Sequence, residues 1–142
     1  MDSEKPDFTI MDHTADLGIM VRGTSLKDLF EKAGLSMTEL MIGSVPGTGD
    51  KNIKLSLTGN DAADLMINWL GEILYLFYGE KEIVTSIVID TISQSCLDAN
   101  LKTVSFDPNL HEIICEIKAV TYHQIEVANK GDHWMAKVIF DL

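Results

Sequence analysis

Between residues 62 and 77 the chain places Ala62, Leu65, Met66, Trp69, Leu70, Ile73, Leu74, Leu76 and Phe77 on one broad stripe at helical spacing. A stripe that wide leaves little of a helix for solvent, so this segment is expected to be the most buried helix of the fold. Gly59-Asn60-Asp61 turns the chain into it, with Asn60 or Asp61 as the N-cap. Trp69 and Tyr75 read as core or rim packing rather than as platforms for stacking bases.

A first helix precedes it. Ser25 can cap a free N–H, and Asp28 three residues on makes a weaker version of the capping box. Leu26, Leu29, Phe30, Ala33, Met37, Leu40 and Met41 then form a single stripe, with the methionines as core filler. Gly34 inside it costs about 1 kcal/mol relative to alanine.

The remaining pattern is β. Residues 8–11 form a short apolar strand, and Leu17, Ile19 and Val21 alternate with Gly18, Met20 and Arg22. Ile53, Leu55 and Leu57 alternate in the same way. Residues 83–92 and 97–106 are strands joined by Ser93-Gln94-Ser95, and Asp107-Pro108-Asn109 is a turn. Residues 113–127 have β character throughout, and Asn129-Lys130-Gly131-Asp132 is a hairpin turn. The last strand puts Trp134, Ala136, Val138 and Phe140 on one face and Met135, Lys137, Ile139 and Asp141 on the other. Two early helices with short strand-to-strand links predict an α+β fold. It is a curved, mostly antiparallel sheet with two helices packed on one face. At 142 residues, with no internal repeat or linker, residues 1–142 are expected to be one domain.

Composition excludes several function classes. Acidic residues outnumber basic ones 22 to 11, a formal charge of −11, which argues against direct binding of a nucleic-acid backbone. It suits a protein that captures cations or docks on a basic partner, and equally one that is merely kept soluble. No apolar run approaches the roughly 18 residues of a membrane span, and the polar, acidic start is wrong for a secretory signal. A cytoplasmic location is expected. Cys96 and Cys115 lack metal or redox spacing and read as reduced, buried thiols.

Chemistry concentrates at the two ends. Asp12-His13-Thr14-Ala15-Asp16 crowds two carboxylates and an imidazole into five residues, and the chain closes on Asp141-Leu142. If Asp16, Asp141 and the carboxylate of Leu142 converge, they repel, and a proton or a cation must be taken up. Oxygen-only donors suit Ca²⁺ or Mg²⁺ rather than Zn²⁺. A turn aspartate and an ordinary chain end are the plainer reading of the same residues. His13 is a ligand, a partner to one, or a surface histidine. No HExxH spacing, nucleophile elbow or phosphate loop is present, so a zinc peptidase or nucleotide-cradling site is not expected.

Asp12-His13-Thr14-Ala15-Asp16-Leu17-Gly18, followed by Gly23-Thr24-Ser25-Leu26, resembles the opening of the archease family. The resemblance continues through Trp69-Leu70-Gly71-Glu72-Ile73-Leu74-Tyr75-Leu76, Glu116-Ile117-Lys118-Ala119-Val120-Thr121-Tyr122-His123 and the segment from Trp134 to Asp141-Leu142. One departure is Gly71, where the family often has Asn. The resemblance implies a protein cofactor rather than an enzyme: an activator of the tRNA-splicing RNA ligase that promotes ligase guanylylation and multiple turnover. The ligase joins 2′,3′-cyclic phosphate and 5′-hydroxyl RNA ends, so tRNA is met only through it. The resemblance also implies a divalent cation, typically calcium, on Asp16, Asp141 and Leu142. Two other readings are a chaperone or specificity modulator of a tRNA methyltransferase and a metal-dependent phosphoesterase.

Overall fold

The computed structural model describes residues 8–12 and 16–142. In chain order the elements are β1 Phe8–Asp12, β2 Asp16–Gly23, α1 Leu26–Ile42, β3 Lys51–Thr58, α2 Ala62–Glu80, β4 Glu82–Ile92, β5 Cys96–Ser105, β6 Ala119–Asn129 and β7 Trp134–Asp141. Every pairing is antiparallel. The fold is the expected α+β, with its strands divided into two open sheets, β1-β2-β7-β6 and β3-β5-β4.

The two strand-to-helix junctions are built alike. Ser25 Oγ accepts the Asp28 N–H at 3.0 Å, and the Asp28 carboxylate accepts the Thr24 N–H at 2.8 Å. At α2, Asp61 accepts the Asp64 N–H and Asp64 accepts the Asn60 N–H, both at 2.8 Å. Each box satisfies two amides, one of them an orphan donor of the first turn. Gly23 and Gly59 occupy matching places before the caps. A Cβ there would lie 2.5 Å from the Leu29 nitrogen and 2.6 Å from the Leu65 nitrogen, so only glycine lets the chain turn this tightly onto its helix. The shared pattern Gly-x-Ser/Asp-x-x-Asp-Leu is too short to register as a sequence repeat.

Both helices touch both sheets: α1 lies on β2, β7 and β4, and α2 on β6, β3 and β4. Ten residues of α2 are buried against eight of α1, as the breadth of its stripe predicts. Trp69 is wholly buried, and its indole N–H donates to the Phe30 carbonyl at 2.8 Å, tying the two helices together. Gly34 has a packing reason, because a Cβ there would run into the Ile87 and Ile73 side chains. Tyr75 is 58% exposed and belongs to the surface. The register of β7 confirms the two expected faces, and Met135 and Ile139 on the second face are buried as well.

Two expectations need correction. Residues 113–127 do not form one strand, since β6 begins at Ala119. The amides of Ile114 and Cys115 instead donate to the Met41 carbonyl, at 2.7 and 3.3 Å, satisfying an acceptor at the C-terminus of α1. Alternation persists there, but the backbone donors are spent on a helix. Cys96 is exposed rather than buried, with its sulfur 3.3 Å from Ser93 Oγ. Cys115 is half-buried, and burial pushes its thiol pKa up. Both thiols are free. Among the described residues no helix is long and apolar enough to cross a membrane.

Glu82, only 8% exposed, pins one end of the three-stranded sheet. It accepts hydrogen bonds from Thr103 Oγ1 at 2.6 Å, Lys51 Nζ at 2.9 Å and Ser105 Oγ at 3.2 Å, joining all three strands. Burial pushes its pKa up, but the bonds from Thr103 and Lys51, with the Lys51 charge, more than reverse this and hold it below the ordinary value. The contribution is therefore present above the unfolded-state pKa and lost as pH falls through the lower folded value. Glu82→Gln is expected to cost about 1–3 kcal/mol at neutral pH. In urea unfolding, the gap between parent and variant should narrow on acidification below about pH 4.

Candidate functional site

The pairing of β2 with β7 puts Asp16 directly opposite Asp141. In an antiparallel pair, opposed residues project to the same face with Cα atoms about 4.5–5.5 Å apart. The two acidic clusters found at opposite ends of the chain therefore meet at one strand end. The next strand continues the row, because Ala119 of β6 faces Asp141, and the Lys118 amide donates to the Asp141 carbonyl at 2.8 Å. Asp16 is partly exposed and Asp141 exposed. Leu142 follows at 40% exposure. Asp12 pairs with Leu17, one row from the Asp16–Asp141 pair. His13 lies outside the described residues.

Like charges placed directly across a strand pair destabilise it unless something of opposite charge is shared. The donor set suits a hard cation, with two side-chain carboxylates in register and room for water on the exposed side. Among the described residues, no three His, Cys, Asp or Glu side chains gather as a metal cluster. Asp16 and Asp141 therefore form a carboxylate pair and not, among the described residues, a closed cage.

Beyond this row β6 departs from its partner. Its register with β7 slips between Thr121 and Glu126, and Gln124 inside the irregularity has φ of 53°. The bulge carries Tyr122 and His123 outward, both exposed. The Tyr122 hydroxyl donates to Asp64 Oδ1 at 2.8 Å, anchoring the bulge to the α2 cap. Asp64 is thereby shared between a helix cap and a strand bulge. Its pKa is lowered first by the Asn60 amide and then by Tyr122, while the phenol of Tyr122 is raised by its bond to Asp64. Sequence reading placed Tyr122 in a regular strand and missed this link, since a register slip leaves no mark on alternation.

A small α+β protein of two antiparallel sheets cradling two helices, with a carboxylate pair where its second strand meets its last, is the class this architecture defines. Residues 8–142 match the archease protein family (MTH1598/TM1083), and the chain belongs to that family. It is 32% identical to protein archease of Methanosarcina acetivorans over the full length of both chains. With the Methanosarcina mazei protein archease the identity is 29%, again over both whole chains. The solution structure of Methanobacterium thermoautotrophicum protein 1598 superposes with a TM-score of 0.78 at 28% identity, covering 95% of this chain and 98% of that one. A Thermotoga maritima crystal structure, described as an archease and possible chaperone, gives a TM-score of 0.64 at 23% identity over 93% and 94% of the two chains, a likeness of fold.

The Asp64 link has a spectroscopic consequence. Asp64→Asn is expected to bring the Tyr122 phenol back down toward the ordinary tyrosine value of about 10. Titration of the tyrosine ring carbons by NMR measures it.

Proposed function

We propose that this protein activates an RNA ligase of the tRNA-splicing type, acting in the cytoplasm as a protein cofactor and not as the ligase. The observation that carries the reading is the register of Asp16 against Asp141, which turns two remote acidic segments into one anionic tip. A ligase pocket that holds RNA and GTP must be basic, and a chain of net charge −11 is complementary to it. Asp16 and Asp141, with the carboxylate of Leu142, are the proposed ligands of a divalent cation, calcium by family resemblance. Bound there, the cation would offset the repulsion between the carboxylates and hold them in a single arrangement. Asp16 and Asp141 then present that tip to the nucleotide site of the ligase, promoting guanylylation and repeated turnover. Contact with tRNA is made through the ligase.

A second reading, a chaperone for a tRNA-modifying enzyme, has one observation in its favour. Leu110, Ile113 and Ile114 are 77%, 42% and 66% exposed within a short span, an apolar surface of the kind that holds other proteins. That reading predicts suppression of client aggregation that does not depend on Asp16.

Multiple-turnover ligation of cyclic-phosphate and 5′-hydroxyl RNA ends, with and without the protein, tests the first reading. Asp16→Ala and Asp141→Ala should each keep the circular-dichroism spectrum and abolish stimulation; full stimulation by both variants would overturn the assignment. The cation is checked separately. Calcium at about a hundred times its dissociation constant should stabilise the parent by about 2.7 kcal/mol, and Asp141→Asn should lose that gain in a melting experiment.

A further inference from the structure

β3 and β6 are edge strands of different sheets, and both border α2. Between them lies an open groove of about 680 Å³. Residues 56–58 form one bank, residues 118–120 the other, and Ile67, Gly71 and Leu74 of α2 share the floor. Among the described residues no backbone hydrogen bond joins the two banks. Two unpaired edges therefore face one channel, each a template for a further strand. One acceptor is already covered, because the Asn68 side-chain amide donates to the Thr58 carbonyl at 2.8 Å. Gly71 keeps the floor open: a Cβ built there meets nothing within 4 Å. A residue with poor helix propensity thus sits mid-helix where nothing packs on it, and the space it leaves belongs to the groove.

We propose that this groove receives an extended, basic segment of the partner protein, added as a short β-strand beside β3 or β6. The docking mode is strand addition, in which main-chain hydrogen bonds supply affinity and alternate side chains supply selectivity. Each bank offers three residues, about 10 Å of strand. The chemistry of the occupant follows from the lining. Ile67 and Leu74 accept apolar side chains on one face of the segment, and the lining carboxylate of Glu72, with Asp64 just over two turns earlier on the same helix, favours lysine or arginine on the other. Lys118 is the one cation among the lining residues, and the chain as a whole is strongly acidic, so a nucleic-acid strand is disfavoured. The groove is continuous with the anionic tip, since Ala119 both lines it and stands opposite Asp141. Assigning the segment to the ligase rests on the function proposed above; the groove itself does not.

Two arms test this. In the first, a library of displayed extended heptapeptides is selected on the parent protein, and the enriched peptide is synthesised and titrated. Alternating apolar-basic peptides should be enriched, and binding should slow amide exchange at residues 56–58 or 118–120. Gly71→Trp should weaken binding at least about tenfold, and Gly71→Ala should leave it nearly unchanged. Enrichment of peptides indifferent to Gly71→Trp, preference for single-stranded oligonucleotides, or no enrichment would overturn the proposal. In the second arm, Gly71→Trp and Asp16→Ala are compared in ligase binding. Loss with Asp16→Ala but not with Gly71→Trp would remove the ligase segment from the groove and leave the activator function standing. Loss with Gly71→Trp while neither parent nor Asp16→Ala stimulates ligation would do the reverse.

Discussion

The antiparallel pairing of β2 with β7 is the contact on which the rest of the molecule depends. It joins the second strand of the chain to the last, with eight residue pairs in register from Asp16–Asp141 to Gly23–Trp134. That register buries Ile19, Val21, Ala136 and Val138 against the helices and closes the four-stranded sheet. A slip of one residue would exchange the two faces of the strand, so the burial of Ile19, Val21, Ala136 and Val138 on the helix side holds the register. The same register sets Asp16 beside Asp141. The stability of the core thereby fixes two carboxylates side by side at the strand end.

The two helices act as a wedge between the sheets. Trp69 and Phe30 lock them to one another, and each helix lies on strands of both sheets. Because α2 spans the seam, the sheets do not need to merge, and the edges of β3 and β6 remain open on either side of it. Segment 106–118, between β5 and β6, leaves the sheet and caps α1 through Met41. The anionic tip and the open groove are thus neighbours by construction: β6 starts where the capping segment ends.

Much of the fold was legible because it is written in local chemistry. Ser25 with Asp28, and the Gly59-Asn60-Asp61 turn, announce helix starts through side chains that reach only three or four residues. Gly131, with φ of 101°, marks the hairpin before β7 for a similar reason. What stayed hidden depends on distant partners. The donors of Ile114 and Cys115 bond to a helix end some seventy positions earlier, so alternation there reads as a strand that does not form. Cys96 sits in a strand whose outward face is wet, and an apolar neighbourhood in sequence does not say which face a side chain takes. Tyr122 and Asp64 meet through a bulge that no periodicity encodes.

The sequence by itself determined the two helices, the hairpin turns, the α+β class and the two acidic segments, because helical stripes, caps and turns are settled by neighbours a few residues apart. Only the tertiary structure decided that those segments share one strand end, that the strands divide into two sheets, and that a groove opens over Gly71. Each of these is a pairing between remote positions. Pairing is selected by the burial of a whole strand face at once, which no short stretch of sequence contains.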